Sequence, residues 1–422
     1  MNRERRTFLK WIPALAGMGS LSIGALARGR GSPRIVVIGG GFAGINFART
    51  LKRLLPDIEI IVVERQAEYT RCPGSNRVIA GFSPLSSLVH RPAPALLREG
   101  IRWIQSSVHA IDPVQRRVRL EHGETLFYDR LVVAPGIDFL WDKVRGVNEH
   151  QSLDVPHAWR AGIQTARLRD QISAIPPGGV FMMTVPGNPY RCPPGPYERA
   201  SLIAARLKRD NPRAKIIILD TKSKFSKEKG FKSAWASLYP GMIDWISLET
   251  EGEIDHIDST KRTVQTAFHR YQVDALSVIP PQRAGNLATS ADLVDETHWC
   301  PVNSINFEST RVPGIHVIGD AASYGAIPKS AFAAQTEARA CALSVALGLG
   351  GLPLPNPRLI NHCYSLIAEE KAISITGVYG PKSPGGTVET YGVMESTPEA
   401  NQQQEYQETM DWFDLLIRST FN

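Results

Sequence analysis

Residues 34–64 open with RIVVIGGGFAG and close with EIIVVE. A short β-rich run (34–38) leads directly into glycines, an apolar-periodic helix follows over 45–54, and a second β-rich run (59–63) ends at Glu64. Gly39, Gly41 and Gly44 form G-x-G-x-x-G between strand and helix, and the acid stands 20 residues after the last glycine. The first glycine permits a tight turn, the second lets a pyrophosphate approach the backbone, and the third lets helix and strand pack closely. A helix N-terminus favours phosphate charge, and Glu64 can accept a hydrogen bond from a ribose hydroxyl. A ligand-free glycine turn has no need of that acid. The stretch therefore predicts a dinucleotide-binding βαβ unit.

Two later segments select among dinucleotides. YDRLVVAPGI (128–137) reads as a strand ending in Ala134, Pro135 and Gly136, and VPGIHVIGDA (312–321) as a strand ending in Gly319 and Asp320. The pair resembles the A-T-G and G-D segments of flavoproteins with two dinucleotide domains, in which the aspartate binds the ribityl chain of FAD. That resemblance implies an α/β fold with two Rossmann-like, glutathione-reductase-like domains and a C-terminal α+β domain. The FAD domain is expected to be discontinuous, over 34–145 and 288–345, with the second Rossmann-like domain at 146–287 and the last domain at 346–422.

The inserted domain has strands GVFMMTV and AKIIILD, the latter ending in Asp220, but the turn after its first strand carries no glycine fingerprint. That turn holds Pro186, Pro189, Pro193, Pro194 and Pro196, which remove backbone donors where a pyrophosphate would lie. A domain that keeps the fold and loses the nicotinamide coenzyme is predicted. The same turn carries Cys192, ahead of a helix expected to begin near Glu198. A thiol near a helix N-terminus is expected to have a stabilised thiolate; a buried structural cysteine is the alternative.

The chain has 422 residues, 43% of them hydrophobic, enough for two or three domains. Its start, RERRTFLKWIPALAGMGSLSIGALA, combines Arg5-Arg6, an uncharged apolar middle and a small-residue end. This reads as a twin-arginine export signal over 1–27, which predicts a periplasmic protein. The apolar run is too short and glycine-rich for a membrane span, so none is expected in the mature chain. Removing four basic residues and one acid with the signal lowers the net charge from +7 to +4. The basic run KSKFSKEKGFK at 222–232 reads as a solvated surface loop, and nothing points to nucleic acid. Five cysteines lack C-x-x-C spacing, which argues against a zinc site, and no metal is expected.

Longer stretches carry a more specific resemblance: YTRCPGSN (69–76), RCPPGPYERAS (191–201), PPQRAG (280–285), WCPV (299–302), PKSAFAAQ (328–335), CYSLIA (363–368) and the terminal DWFDLLIRSTFN. Together they are similar to the flavoprotein subunit of flavocytochrome c sulfide dehydrogenase, across essentially the whole chain. The resemblance implies covalent FAD through a thioether at Cys72 and a redox disulfide between Cys192 and Cys363. It implies that hydrosulfide opens this bond, leaving a persulfide on Cys192 and a thiolate on Cys363, the cysteine nearer the flavin, and that two electrons then pass to the flavin; an adduct at either sulfur is chemically reasonable. Glu198 is a candidate proton shuttle, or alternatively a carboxylate favoured by the helix dipole. Lys329 is a candidate for positive charge at the flavin edge, or alternatively a capping lysine. Cys300 and Cys341 read as packing residues.

No C-x-x-C-H occurs, so any haem belongs to another chain; the resemblance implies a c-type cytochrome subunit as partner in a heterodimer. Two rivals use the same parts. A sulfide:quinone oxidoreductase would pass electrons to membrane quinone and show an apolar membrane-facing C-terminus. There Tyr406, Met410, Phe413 and Ile417 share a helical face, but interleaved Asp411, Asp414 and Arg418 favour a packed terminal helix. A flavin-bearing accessory protein of a sulfur-oxidation system is the other. An NAD(P)H disulfide reductase fits least, for want of a second glycine fingerprint.

Overall fold

The computed structural model describes residues 32–397 and 400–422; the segment 1–27 read as an export signal lies outside the described residues. Five parallel strands form the first sheet, in the order Ile315–Val317, Arg130–Val133, Arg34–Ile38, Glu59–Glu64, Arg102–Gln105. Ile35, Val36 and Val37 are buried without residual exposure, as are Ile61, Val62, Leu131 and Val132. Apolar side chains on both faces are what a parallel sheet covered from both sides requires. Helix Phe42–Leu54 packs against this sheet and against helix Ala331–Leu349. The edge strand Ile315–Val317 enters only after a second sheet has been built, so this unit is discontinuous in the chain.

The second sheet is also parallel, in the order Ile243–Ser247, Lys215–Asp220, Val180–Val185, Ala275–Val278. A three-stranded antiparallel sheet of Leu359–Ala368, Lys371–Pro381 and Val388–Glu395, followed by helix Gln402–Phe421, makes the C-terminal unit. Two Rossmann-like units and a C-terminal α+β unit are thus present, the fold class read from the sequence.

The terminal helix packs, as expected, and only Ile417 of the apolar face noted in the sequence is buried. Its buried side chains are Glu405, Thr409, Leu416, Ile417, Thr420 and Phe421, whereas Met410 is exposed and Tyr406 and Phe413 are only partly covered. Polar groups decide the face. Asn46 Nδ2 donates to Thr420 Oγ1 at 2.9 Å, and Arg49 donates to the carbonyls of Ser419 and Asn422 at 3.2 and 2.7 Å. Phe421 then meets Phe42 edge-on at 5.1 Å and stacks on Tyr69 at 5.0 Å. The last turn of this helix is clamped onto helix Phe42–Leu54.

Two expectations for the inserted unit change. The helix after its first strand spans Gly195–Asp210, beginning three residues before Glu198. Pro196 lies in the first turn, where a backbone donor has no intrahelical partner to lose. The run 222–232 is not a solvated loop: Lys222 is largely covered and Lys227 is buried. Lys222 Nζ bonds Asp220 at 2.6 Å, and Trp245 Nε1 donates to the same carboxylate at 3.0 Å, alongside the Tyr197 hydroxyl. Phe225 stacks on Tyr197 at 3.7 Å.

Asp220 ends the second strand of its unit, where a Rossmann fold presents an acid to a ribose. Here that acid has no exposed surface, and three side-chain donors and the Lys222 amide occupy it. NADH and NADPH are therefore expected not to bind this unit. Titration followed by nicotinamide fluorescence should show no saturable signal up to millimolar coenzyme, and saturation in the micromolar range would refute the reading.

Candidate active site

A cavity of about 1090 Å³ opens where the three units meet. The fingerprint turn forms one wall. Gly39 has φ +109°, and a Cβ there would fall 2.2 Å from the Ala134 carbonyl oxygen; a Cβ on Gly41 would press on the Tyr69 ring at 3.3 Å. Gly44 does not face the cavity. Its missing Cβ would stand 1.9 Å from the Gly39 carbonyl oxygen, so it holds the helix against the turn. Helix Phe42–Leu54 begins at Gly41 without a side-chain cap, leaving its first amide donors for an anionic ligand.

Glu64 lines the cavity and accepts from the amides of Gly40 (2.8 Å) and Gln66 (3.0 Å). Ala134, Gly136, Gly319 and Asp320 line the same space. Asp320 Oδ1 is buried without a hydrogen-bond partner. Leaving a buried acceptor unmatched costs roughly 1–3 kcal/mol, and a hydroxylated chain such as ribitol would satisfy it. The cradle, the uncapped helix start and the orphaned oxygen fit FAD. Glu64, the Gly39–Gly41 turn and Asp320 would hold it.

Cys72 lies on the same wall, with Sγ 3.2 Å from Arg191 Nη2 and 3.3 Å from the Trp159 carbonyl oxygen. Arg191 Nη1 is 3.6 Å from Asp320 Oδ2. Burial works against the Arg191 charge, but Cys72 and Asp320 oppose that, and its pKa rises. A fixed cation thus links the candidate attachment point to the candidate ribityl acid.

Cys192 and Cys363 reach this cavity from two different units. Cys192 has φ +58° and sits just before the helix start; its amide donates to the Lys329 carbonyl at 2.8 Å, and its carbonyl accepts from Gly195 at 2.8 Å. Cys363 lies on strand Leu359–Ala368, opposite Ile375. Both are free thiols in this structure. The stabilised thiolate expected at Cys192 is not found. Burial pushes this thiol's pKa well up, and Cys363 and Glu198 push the same way, outweighing Lys227 and Arg191. Cys363 is also raised by burial, but for it the nearby Lys227 is the largest opposing influence.

Glu198 also lines the cavity. Its Oε1 accepts from the Leu366 amide at 2.9 Å and its Oε2 from Asn76 Nδ2 at 2.7 Å. Burial still raises its pKa, against those two donors. Lys329 is elsewhere. Its Nζ donates to the Ala322 carbonyl at 2.7 Å and lies 3.9 Å from the centre of the Trp299 ring, so the lysine ties a loop and does not line the cavity. Cys300 and Cys341 are buried in the cores.

Sequence reasoning missed Lys227, Asn76, Arg191 and Arg199. Arg191 and Arg199 flank the thiol in a stretch already singled out, and Asn76 ends the Cys72 segment. Lys227 gave no local sign, because only the tertiary fold buries it.

Three family models match in succession. Residues 33–165 match pyridine nucleotide-disulphide oxidoreductases, 165–280 the central part of the sulfide dehydrogenase [flavocytochrome c] flavoprotein chain, and 355–421 the flavin-binding part of flavocytochrome c sulphide dehydrogenase. The chain is 44% identical over 48 residues to the sulfide dehydrogenase [flavocytochrome c] flavoprotein chain of Chlorobaculum thiosulfatiphilum, covering 11% of this chain and all of that sequence. It is 23% identical over 354 residues to the mitochondrial sulfide:quinone oxidoreductase of Mus musculus, covering 79% and 74% of the two chains. Its fold superposes on the crystal structure of the sulfide:quinone oxidoreductase from Aquifex aeolicus with a TM-score of 0.71, at 18% identity and 92% coverage of each chain. With the cavity wall built from the matched 165–280 and 355–421 stretches, the chain belongs to the flavocytochrome c sulfide dehydrogenase flavoprotein family.

Proposed function

We propose that this chain is a sulfide dehydrogenase flavoprotein: it oxidises hydrosulfide at a Cys192–Cys363 pair, carries FAD on Cys72, and passes electrons to a c-type cytochrome. The observation that carries the reading is the meeting of both thiols, Glu198 and the dinucleotide cradle in one cavity. In the oxidised pair, hydrosulfide attacks one sulfur. A sulfur–sulfur bond forms to the incoming atom, the Cys192–Cys363 bond breaks, and the other cysteine leaves as thiolate. Bound FAD supplies a two-electron acceptor. Arg191 and Arg199 give the cavity positive charge that favours an anionic substrate. Glu198, held between Asn76 and Leu366, is a protonatable group beside the sulfurs.

Export to the periplasm stays part of this proposal, on the twin-arginine pattern of 1–27. The acceptor separates the reading from a sulfide:quinone oxidoreductase, which the likeness to the mouse protein over 79% of this chain favours. The match of 355–421 to the flavocytochrome's flavin-binding part favours the cytochrome. No described helix is long and apolar enough to cross a membrane. Sulfide-dependent reduction of a c-type cytochrome should exceed that of a soluble quinone analogue at least tenfold; the opposite ratio assigns the chain to the quinone reaction.

Acid-precipitated protein should keep its yellow colour, and Cys72→Ser should release FAD into the supernatant. Free FAD from the wild-type protein would refute attachment at Cys72.

Cys192→Ser and Cys363→Ser should each abolish nearly all sulfide turnover, and the double variant should be no worse, because either change removes the same bond. A purely structural disulfide predicts instead a stability loss of about 2–5 kcal/mol with near-normal turnover in the folded fraction.

A further inference from the structure

Lys227 is 1% exposed. Its Nζ bonds Ser365 Oγ at 2.7 Å and reaches the carbonyl oxygens of Cys363 and Ile373, each at 3.4 Å. The backbone holds it there. Lys227 caps helix Glu228–Leu238 in a left-handed conformation, φ +59°, and its amide donates to Glu395 Oε1 at 2.9 Å. Among the described residues, no carboxylate lies within ion-pair distance of this ammonium. A buried charge surrounded only by neutral acceptors is costly. Glu198, Cys192 and Cys363 are the ionisable groups whose negative forms act on it most strongly, followed by Glu395, and Cys363 comes first.

We propose that Lys227 is a positioning residue for the thiol chemistry: an ammonium fixed behind Cys363 that stabilises the thiolate this sulfur becomes when hydrosulfide opens its bond to Cys192, in the order the family resemblance implies. The inference rests on the thiol–disulfide reading above. The step balances. Hydrosulfide brings its electron pair to Cys192, the bond between the cysteines breaks, and its electron pair stays on Cys363 as the negative charge that Lys227 faces. A leaving thiol of lower pKa leaves faster. Groups that oppose or assist this charge come from every side. Glu198 stands on the thiol-loop helix and Tyr379 on the neighbouring strand, with Cys192 on the loop itself, while Ser330 and Asn361 hydrogen-bond the Cys363 sulfur. Of these Lys227 is the cation, and the largest influence favouring the Cys363 thiolate.

The test reads thiol titration, not turnover. Holoprotein is reduced anaerobically and alkylated with iodoacetamide over a range of pH, and peptide mapping reports Cys363 and Cys192 separately. In the wild type, Cys363 should react with a midpoint at lower pH than Cys192. Lys227→Met, which keeps the side-chain length, should raise the Cys363 midpoint by about one unit or more, and Lys227→Arg should restore most of it. An unchanged Cys363 midpoint in folded Lys227→Met protein, judged by its melting curve and flavin spectrum, overturns the proposal.

If Lys227→Met does not fold, the wild-type order of the two cysteines and Ser365→Ala decide. Removing the hydroxyl that fixes the ammonium should move the Cys363 midpoint up. A Cys192 that reacts first, or no shift in Ser365→Ala, overturns the proposal equally. Retained sulfide turnover in the cysteine variants would instead refute the disulfide reading and leave the titration result standing.

Discussion

The carboxylate of Glu198 joins all three units at one point. It takes a donor from Asn76, at the end of the Cys72 segment, and another from Leu366, three residues beyond Cys363, while Cys192 stands just before the start of its own helix. Without it, a buried amide side chain and a buried backbone N–H would each lose a partner, at roughly 1–3 kcal/mol apiece. More is at stake than stability. Cys72, Cys192 and Cys363 lie on three separate elements, and this carboxylate is the shared contact that fixes their relative places.

Such a cavity sets electrostatic terms that oppose its own chemistry. Enclosure pushes both thiols and the carboxyl toward their neutral forms, and the helix N-terminus ahead of Cys192 does not reverse this. The first helical turn offers a partial charge of about half a unit, screened within a turn. Desolvation of a buried thiolate is the larger effect. The cations that remain are placed unevenly: Arg191 stands by Cys72 and Lys227 behind Cys363. Two cysteines that are alike in sequence are thereby unlike in chemistry.

How much of this the sequence disclosed follows from the range of each interaction. The fingerprint turn and its acid are local, all between Gly39 and Gln66 with Glu64 inside, and the structure places them as read. Ala134, Gly136, Gly319 and Asp320 were legible because strand ends keep their own chemistry wherever the strand pairs. The thiol-bearing segments were legible too, as motifs. Hidden were the groups whose setting depends on contacts distant in the chain. Lys227 looked like one member of a solvated basic run, yet Ser365 and Glu395, both more than a hundred residues away, bury it. Lys329 looked poised for the flavin because it follows the Gly-Asp segment, but the Trp299 ring and the Ala322 carbonyl claim its ammonium. The packing of the terminal helix was legible but not the polar contacts that hold it, since hydrophobic periodicity does not register Asn46 and Arg49 reaching for Thr420 and the chain end.

The first turn of helix Gly195–Asp210 shows how a coenzyme fold becomes a thiol site. Successive helical residues point about 100° apart, so Tyr197, Glu198 and Arg199 address three directions. Tyr197 turns inward and donates to Asp220, with Phe225 stacked on its ring, filling the place of a ribose. Glu198 turns to the cavity and binds Asn76 and Leu366. Arg199 turns to Asn76 of the first unit, donating to its Oδ1 at 3.2 Å and to the carbonyls of His157 and Ala158 at 2.8 Å each, with its guanidinium 4.7 Å from the Trp159 ring centre. Trp159 in turn offers its carbonyl oxygen to Cys72. One helical turn therefore closes the nucleotide pocket on one side and braces the thiol cavity on the other. The prolines before it set where that turn begins, which is why a loop unsuited to a pyrophosphate suits a cysteine.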